Sequence, residues 1–229
     1  GDYAFANCSA LQSVKMPKSV VYLGDNSFYA CKSLKSMTVP DDVTSIGNGV
    51  FDGCTSLKSV VLPANLSSIG NYSFNFCESL RDVDIPASVI SIGEGAFNGC
   101  TSLFNMVIPD SVTSIGDYAF RSCKYLKKIE LPNSVVSIGK GAFYNCASLK
   151  SITIPEFVKY INEWTFYNCV ALKDVSIPDH VKSIGDYAFY NCKVLPTISI
   201  PASVTYIGDY SFGYCMSIYN ITIPDKVTY

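Results

Sequence analysis

Ten cysteines recur at a fixed step of 23 residues: Cys8, Cys31, Cys54, Cys77, Cys100, Cys123, Cys146, Cys169, Cys192 and Cys215. Thiols can form disulfides, hold zinc or act as nucleophiles, and the spacing bears on each. Zinc sites gather ligands locally, commonly as C-x₂₋₄-C pairs. Here no two cysteines lie closer than 23 residues, and His180 is the single histidine. A disulfide needs two side chains turned toward each other, whereas equivalent positions of stacked repeats project in parallel. The expectation is free thiols that pack in a core as small hydrophobes. There they would lack the exposed, electropositive setting that activates a cysteine nucleophile.

Other reactive groups read the same way. One histidine cannot supply repeated acid–base pairs. His180 shares its repeat position with Ser111, Ser134 and Ser203 and reads as a solvated turn residue. The glycines belong to the repeat and form no phosphate-binding loop. Acids recur at Asp2, Asp25, Glu94, Asp117, Glu163, Asp186 and Asp209. Stacked carboxylates could hold a row of Ca²⁺, but helix capping and the N-terminal dipole account for them more simply. No catalytic residue, cofactor or metal is expected.

The elements that position these residues follow from the same step. Phe5, Phe28, Phe51 and their successors to Phe212 form a second column, and Pro17 to Pro224 a third. Such regularity is the signature of a solenoid, in which each repeat contacts only its neighbours. In Leu149–Pro155 apolar residues alternate with polar ones, which predicts a short strand with one face buried, ended by proline. Pro109-Asp110-Ser111 reads as a turn with local side-chain bonds. Gly116 is expected to take positive φ at the next bend, and Asn162, which replaces that glycine once, tolerates the same region. Ala119, Phe120 and Cys123 fit one helical turn packed on the core, with Asp117 as its N-cap. Stacked strands should pair in parallel at about 4.8 Å. The spacing predicts ten coils in a single domain spanning residues 1–229.

Composition narrows the function. The formal net charge of −2 implies no global attraction to nucleic acid or to an anionic membrane. No apolar stretch reaches the ~20 residues of a membrane span. The chain opens and closes within the repeat pattern, without a divergent polar cap, and is expected to be a fragment of a longer chain.

The unit Leu-x-x-Ile-x-Ile-Pro followed by Val-x-x-Ile-Gly-x-x-Ala-Phe-x-x-Cys resembles the BspA-like leucine-rich repeats, over the whole chain. The resemblance implies a right-handed, curved α/β solenoid with a short parallel strand on its concave side and a helical turn per repeat. It also implies a non-catalytic module at the cell surface or secreted, used in adhesion to host or microbial proteins.

Three surface features could meet a partner. A basic column precedes the strand: Lys35, Lys58, Arg81, Lys127, Lys150 and Lys173. It would suit a polyanion such as a sulfated glycan, or it is a solvated stripe balanced by nearby acids. Aromatics thicken at Phe157, Tyr160, Trp164 and Tyr167, around the single tryptophan, and such residues dominate binding hot spots. Phe104 and Tyr219 replace the usual lysine before the strand. Sequons fall at Asn7, Asn65, Asn71 and Asn220, of which Asn65 and Asn71 lie in turn-like segments. The expected function is protein binding on the sheet face or a lateral edge. The alternatives are a rigid spacer, or a polyanion binder acting through the lysine stripe. Open strand edges at both ends would favour end-to-end stacking of copies.

Overall fold

A computed structural model describes residues 1–228. In chain order its strands are β1 (Ser36–Thr38), β2 (Ser59–Val61), β3 (Ser68–Ile69), β4 (Ser91–Ile92), β5 (Asn105–Val107), β6 (Ser114–Ile115) and β7 (Lys128–Glu130). They continue as β8 (Ser137–Ile138), β9 (Ser151–Thr153), β10 (Tyr160–Ile161), β11 (Asp174–Ser176), β12 (Ser183–Ile184) and β13 (Tyr206–Ile207). Every pair is parallel and joins residues one repeat apart, as in Ser36↔Ser59 and Ile69↔Ile92. The molecule is a parallel β-solenoid with two rows of strands. The three-residue strands form the sheet face, where β1 pairs β2, β5 pairs β7, and β9 pairs β11. The two-residue strands form a lateral row, ordered β3-β4-β6-β8 and β10-β12-β13.

The strand signal in the sequence is met directly. Met37 is buried between exposed Ser36 and Thr38, and Ile152 between exposed Ser151 and Thr153. The coil count differs from expectation. The lateral row holds seven strands, β3, β4, β6, β8, β10, β12 and β13, so about seven turns carry regular pairing rather than ten. Toward the ends the ladders thin to isolated bridges such as Leu23↔Ile46 and Thr197↔Asn220. An end coil has a neighbour on one side only, which removes half of the hydrogen bonds that would hold it straight.

The expected helical turn does not form; the described residues contain no helix. Residues 117–126 run instead through consecutive tight turns. Arg121 N–H donates to Tyr118 O at 3.0 Å and Cys123 N–H to Phe120 O at 3.2 Å, each across three residues. The intervening amides donate to the next coil: Tyr118 to Lys140 O, Phe120 to Ala142 O and Ser122 to Tyr144 O, at 2.7–2.8 Å. Positive φ at Tyr118 (54°) and Ser122 (57°) turns alternate amides outward and interrupts any helix. The inter-coil bonds satisfy groups that a single helical turn would leave unpaired.

The same geometry corrects three local readings. Asp117 does not cap its own coil; its Oδ1 accepts the amide of Lys140 in the next one at 2.7 Å. Ser111 likewise donates to Val89 O of the preceding coil rather than locally. Gly116 does not adopt positive φ. A Cβ there would come within 2.6 Å of the backbone of Gly93 and Glu94, so the close approach of coils favours glycine, and any other residue needs a local shift. Asn162 also avoids positive φ and holds its place by donating Nδ2 to Ile138 O at 2.7 Å.

One continuous core runs the length of the stack. The phenylalanine rings from Phe5 to Phe212 lie face to face, with centroids 5.1–5.8 Å apart and planes within 2–18°. The cysteines are free; Cys8 is exposed and the other nine are buried. Each buried thiol donates to the phenylalanine carbonyl of the preceding coil, as Cys123 does to Phe97 O at 3.2 Å. Burial pushes the thiols from Cys31 to Cys169 up, to about 12 for Cys54 and Cys169, whereas a hydrogen bond between the last two raises Cys192 and lowers Cys215. The raised thiols are structural groups with little thiolate character at neutral pH.

Candidate protein-binding surface

The sheet face carries the basic column. Lys35, Lys58, Arg81, Lys127, Lys150 and Lys173 are all exposed. They differ in engagement. Lys35 Nζ donates to Gln12 Oε1 at 3.4 Å, and Lys127 Nζ lies 4.5 Å from the Phe104 ring centre. Lys128 pairs with Glu130 beside this column. Phe104 is therefore approached on its face by a cation of the next coil. Tyr219, which shares its repeat position, is 80% exposed five coils away. The fold does not bring the two together.

The aromatic group around residue 160 also divides. Phe157 follows Pro155 in an exposed turn. At its repeat position Ser88, Ser111, Ser134 and Ser203 each donate to a carbonyl of the preceding coil at 2.6–2.8 Å. Phe157 cannot, and it breaks that row. His180, next in the row, is not simply solvated: its Nδ1 lies 2.8 Å from Glu156 Oε1. Tyr160 stands on the lateral strand β10, exposed. Trp164 and Tyr167 belong to a different surface, the turn face.

On that face the structure joins the column of Trp164, which also holds Tyr118, Tyr187 and Tyr210, to a second column of aromatic residues. The turn geometry places the third and sixth residues of each repeat side by side. The sixth positions hold Arg121, Tyr144, Tyr167 and Tyr190 in successive coils, and the third positions hold Tyr118, Trp164, Tyr187 and Tyr210. Tyr144 stacks on Tyr167 at 4.6 Å, and Tyr167 on Tyr190 at 4.9 Å, with ring planes within 7° of parallel. Tyr187 stacks on Tyr210 at 5.2 Å and meets Tyr190 edge-on at 5.5 Å. The Arg121 guanidinium lies 5.7 Å from the Tyr118 ring centre and 5.2 Å from that of Tyr144. Tyr118, Arg121, Tyr144, Trp164, Tyr167 and Tyr187 line an open groove of about 450 Å³. The 23-residue step already sets Tyr118, Trp164, Tyr187 and Tyr210 in one column, and the same step sets the sixth positions in another. Their adjacency depends on the turn.

The acidic column runs along one rim of this groove. Asp186 Oδ1 accepts the amide of Asp209 at 2.9 Å. Lys140, which takes the acid's position in one coil, pairs with Glu163 and lies 4.3 Å from the Trp164 ring centre. Its hydrogen bond to Glu163 raises the ammonium above the ordinary lysine value. A cation over an indole face is attracted by the ring quadrupole. The side chains needed for recognition are thus held by neighbours on rigid coils, which lowers the ordering cost of binding. Among the described residues no group of three or more His, Cys, Asp or Glu is placed to hold a metal. No helix among them is long and apolar enough to cross a membrane. Asn71 is a poor acceptor for glycan, because its Oδ1 holds the Glu94 amide at 2.8 Å and its sequon partner Ser73 is buried. Asn65 and Asn220 are exposed.

The family model for the BspA type leucine-rich repeat region, in six copies, matches residues 1–127 and 113–229. Among solved structures, the Treponema pallidum leucine-rich repeat protein is 32% identical, covering 80% of this chain and 78% of that one, with a TM-score of 0.57. A leucine-rich cell surface protein of Faecalibacterium prausnitzii is 29% identical over 96% of this chain and 81% of its own, with a TM-score of 0.52. The pneumococcal vaccine antigen PcpA shares the fold at 17% identity, covering 90% of this chain and 55% of its own, with a TM-score of 0.58. No curated protein matches the chain.

Proposed function

The chain belongs to the BspA-type leucine-rich repeat family, and from that premise we propose that it is a non-catalytic extracellular module that binds protein through its aromatic turn face. Its role is adhesion to a host or microbial surface protein. The single observation that carries this reading is the band from Tyr118 to Tyr210. Tyrosine, tryptophan and arginine are the residues that concentrate binding energy at interfaces, and here they line one groove. A buried core needs none of them, since the Phe, Cys, Leu and Ile ladders already fill it. The cell-surface relative from Faecalibacterium supports the location.

A second reading has its own observation. Lys58, Lys150 and Lys173 project from the sheet face with no side-chain partner among the described residues, and could gather a sulfated glycan. Salt separates the two. Binding through the aromatic groove to an extracellular-matrix or microbial surface protein should survive high salt and fall at least tenfold in Trp164→Ala or Tyr167→Ala. Binding that vanishes at high salt and on reversing Lys150 and Lys173 would transfer the function to the stripe. Full binding in all of these variants would leave the solenoid as a spacer.

A further inference from the structure

The groove on the turn face is shaped for a particular kind of protein segment. We propose that it docks an extended, proline-rich peptide in the polyproline II conformation, with an arginine or lysine toward one end. This rests on the reading of the turn face as the protein-binding surface and names the chemistry of what binds there.

Four features converge. First, the ring faces are already used. Tyr144, Tyr167 and Tyr190 stack on one another, and Lys140 covers Trp164. What the stacked tyrosines offer a ligand is their edges and hydroxyls, with clefts between successive rings. Proline-rich segments dock in aromatic-lined grooves of this kind, their rings packing into the clefts between side chains. Second, a polyproline II chain has no internal hydrogen bonds, so its carbonyls need outside donors. The hydroxyls of Tyr144, Tyr167 and Tyr187, which line the groove, have no hydrogen bond among the described residues. Third, the repeats match. Two steps along the stacked tyrosines, 4.6 and 4.9 Å, span about 9.5 Å, against a polyproline II pitch of about 9.3 Å. Each turn of the ligand would meet equivalent side chains two coils on, as Trp164 stands to Tyr118 and Tyr210 to Trp164. Fourth, charge sets the direction. At the Tyr118 end the cations Arg121 and Lys140 stand on the groove and Lys140 pairs with Glu163, while at the Tyr210 end Asp186 and Asp209 form no ion pair among the described residues. A basic ligand residue belongs at the Asp186–Asp209 end.

The test uses the whole chain and a fluorescein-labelled dodecapeptide built of Pro-x-x-Pro units with a terminal Arg-Arg. Binding is read by anisotropy and, independently, by emission of Trp164, the single tryptophan. The expected result is saturable binding that perturbs Trp164. It should weaken at least tenfold in Tyr167→Ala and in Tyr187→Ala, and at least tenfold when the peptide prolines become alanine. Asp186→Lys combined with Asp209→Lys should weaken the arginine peptide at least threefold while leaving an arginine-free peptide unchanged. Lys58→Glu, on the sheet face, should change nothing. Circular dichroism establishes that each variant is folded. No binding at millimolar peptide, or equal binding of the alanine peptide, overturns the proposal. If Tyr167→Ala still abolishes binding of a protein partner in that case, only the proline chemistry fails. If groove variants leave every protein partner bound, the reading beneath it fails too.

Discussion

Truncating one ring in the middle of the phenylalanine ladder should destabilise the chain far more than truncating one at its end. Phe120 has no solvent exposure and is stacked on both sides, 5.4 Å from Phe97 and 5.7 Å from Phe143. Deleting a fully buried phenylalanine side chain costs about 3–5 kcal/mol, including the cavity left where neighbours cannot collapse. Collapse is hard here, because the inter-coil amide ladder fixes the coil spacing. Phe5 sits at the end of the same ladder, 44% exposed and stacked on Phe28 alone. With about half the burial and one stacking partner, Phe5→Ala should cost about 1–2 kcal/mol. In a chain of this size a difference of about 2 kcal/mol is a shift of about 4–8 °C in Tm. Urea unfolding followed by circular dichroism and by Trp164 emission would measure both variants. Repeat arrays can lose cooperativity, so the two probes must report one transition before free energies are compared. Equal costs at the two positions would refute the account of stability as a sum over stacked neighbours.

Three further outcomes follow from the core and the coil spacing. Under native conditions a thiol reagent such as DTNB should modify Cys8 at once and the nine buried cysteines only as fast as the chain unfolds; rapid labelling of Cys100 or Cys123 would contradict their burial. Stability should fall as pH rises above 9.0, because unfolded thiols ionise from there while burial holds the folded Cys54 and Cys169 thiols protonated up to about 12. The contribution is complete below pH 9.0 and declines at about 1.4 kcal/mol per pH unit per thiol, so Cys54→Ala should flatten the alkaline slope, measured by urea unfolding at a series of pH values. Gly139→Ala should cost more than 2 kcal/mol, since its Cβ would meet backbone of the preceding coil at 2.4 Å, whereas Gly53→Ala, with 3.5 Å of room and only its φ of 72° against it, should cost about 1 kcal/mol by thermal unfolding.

The 23-residue step was enough to establish a stack of parallel coils, a strand with one buried face at Ile152, and a core of phenylalanine and free cysteine. Those conclusions follow from periodicity, because any residue that repeats in register must form a ladder. The identity of the surface columns was legible for the same reason, down to each lysine before the strand. What lay beyond the sequence was the path of the chain between Gly116 and Cys123. Its i, i+1, i+4 pattern of buried residues fits a helical turn and a run of tight turns equally well. Only inter-coil hydrogen bonding decides between them, by drawing the amides of Tyr118, Phe120 and Ser122 to the next coil. That choice then sets the candidate site. It gives Tyr118, Trp164 and Tyr187 positive φ and swings them beside Arg121, Tyr144 and Tyr167, while Phe157 and Tyr160, closer in sequence, end on other faces. The glycine column shows the same division: the sequence marks where glycine is favoured, but the reason is a neighbouring coil 23 residues away, a contact that exists only once the coils are stacked.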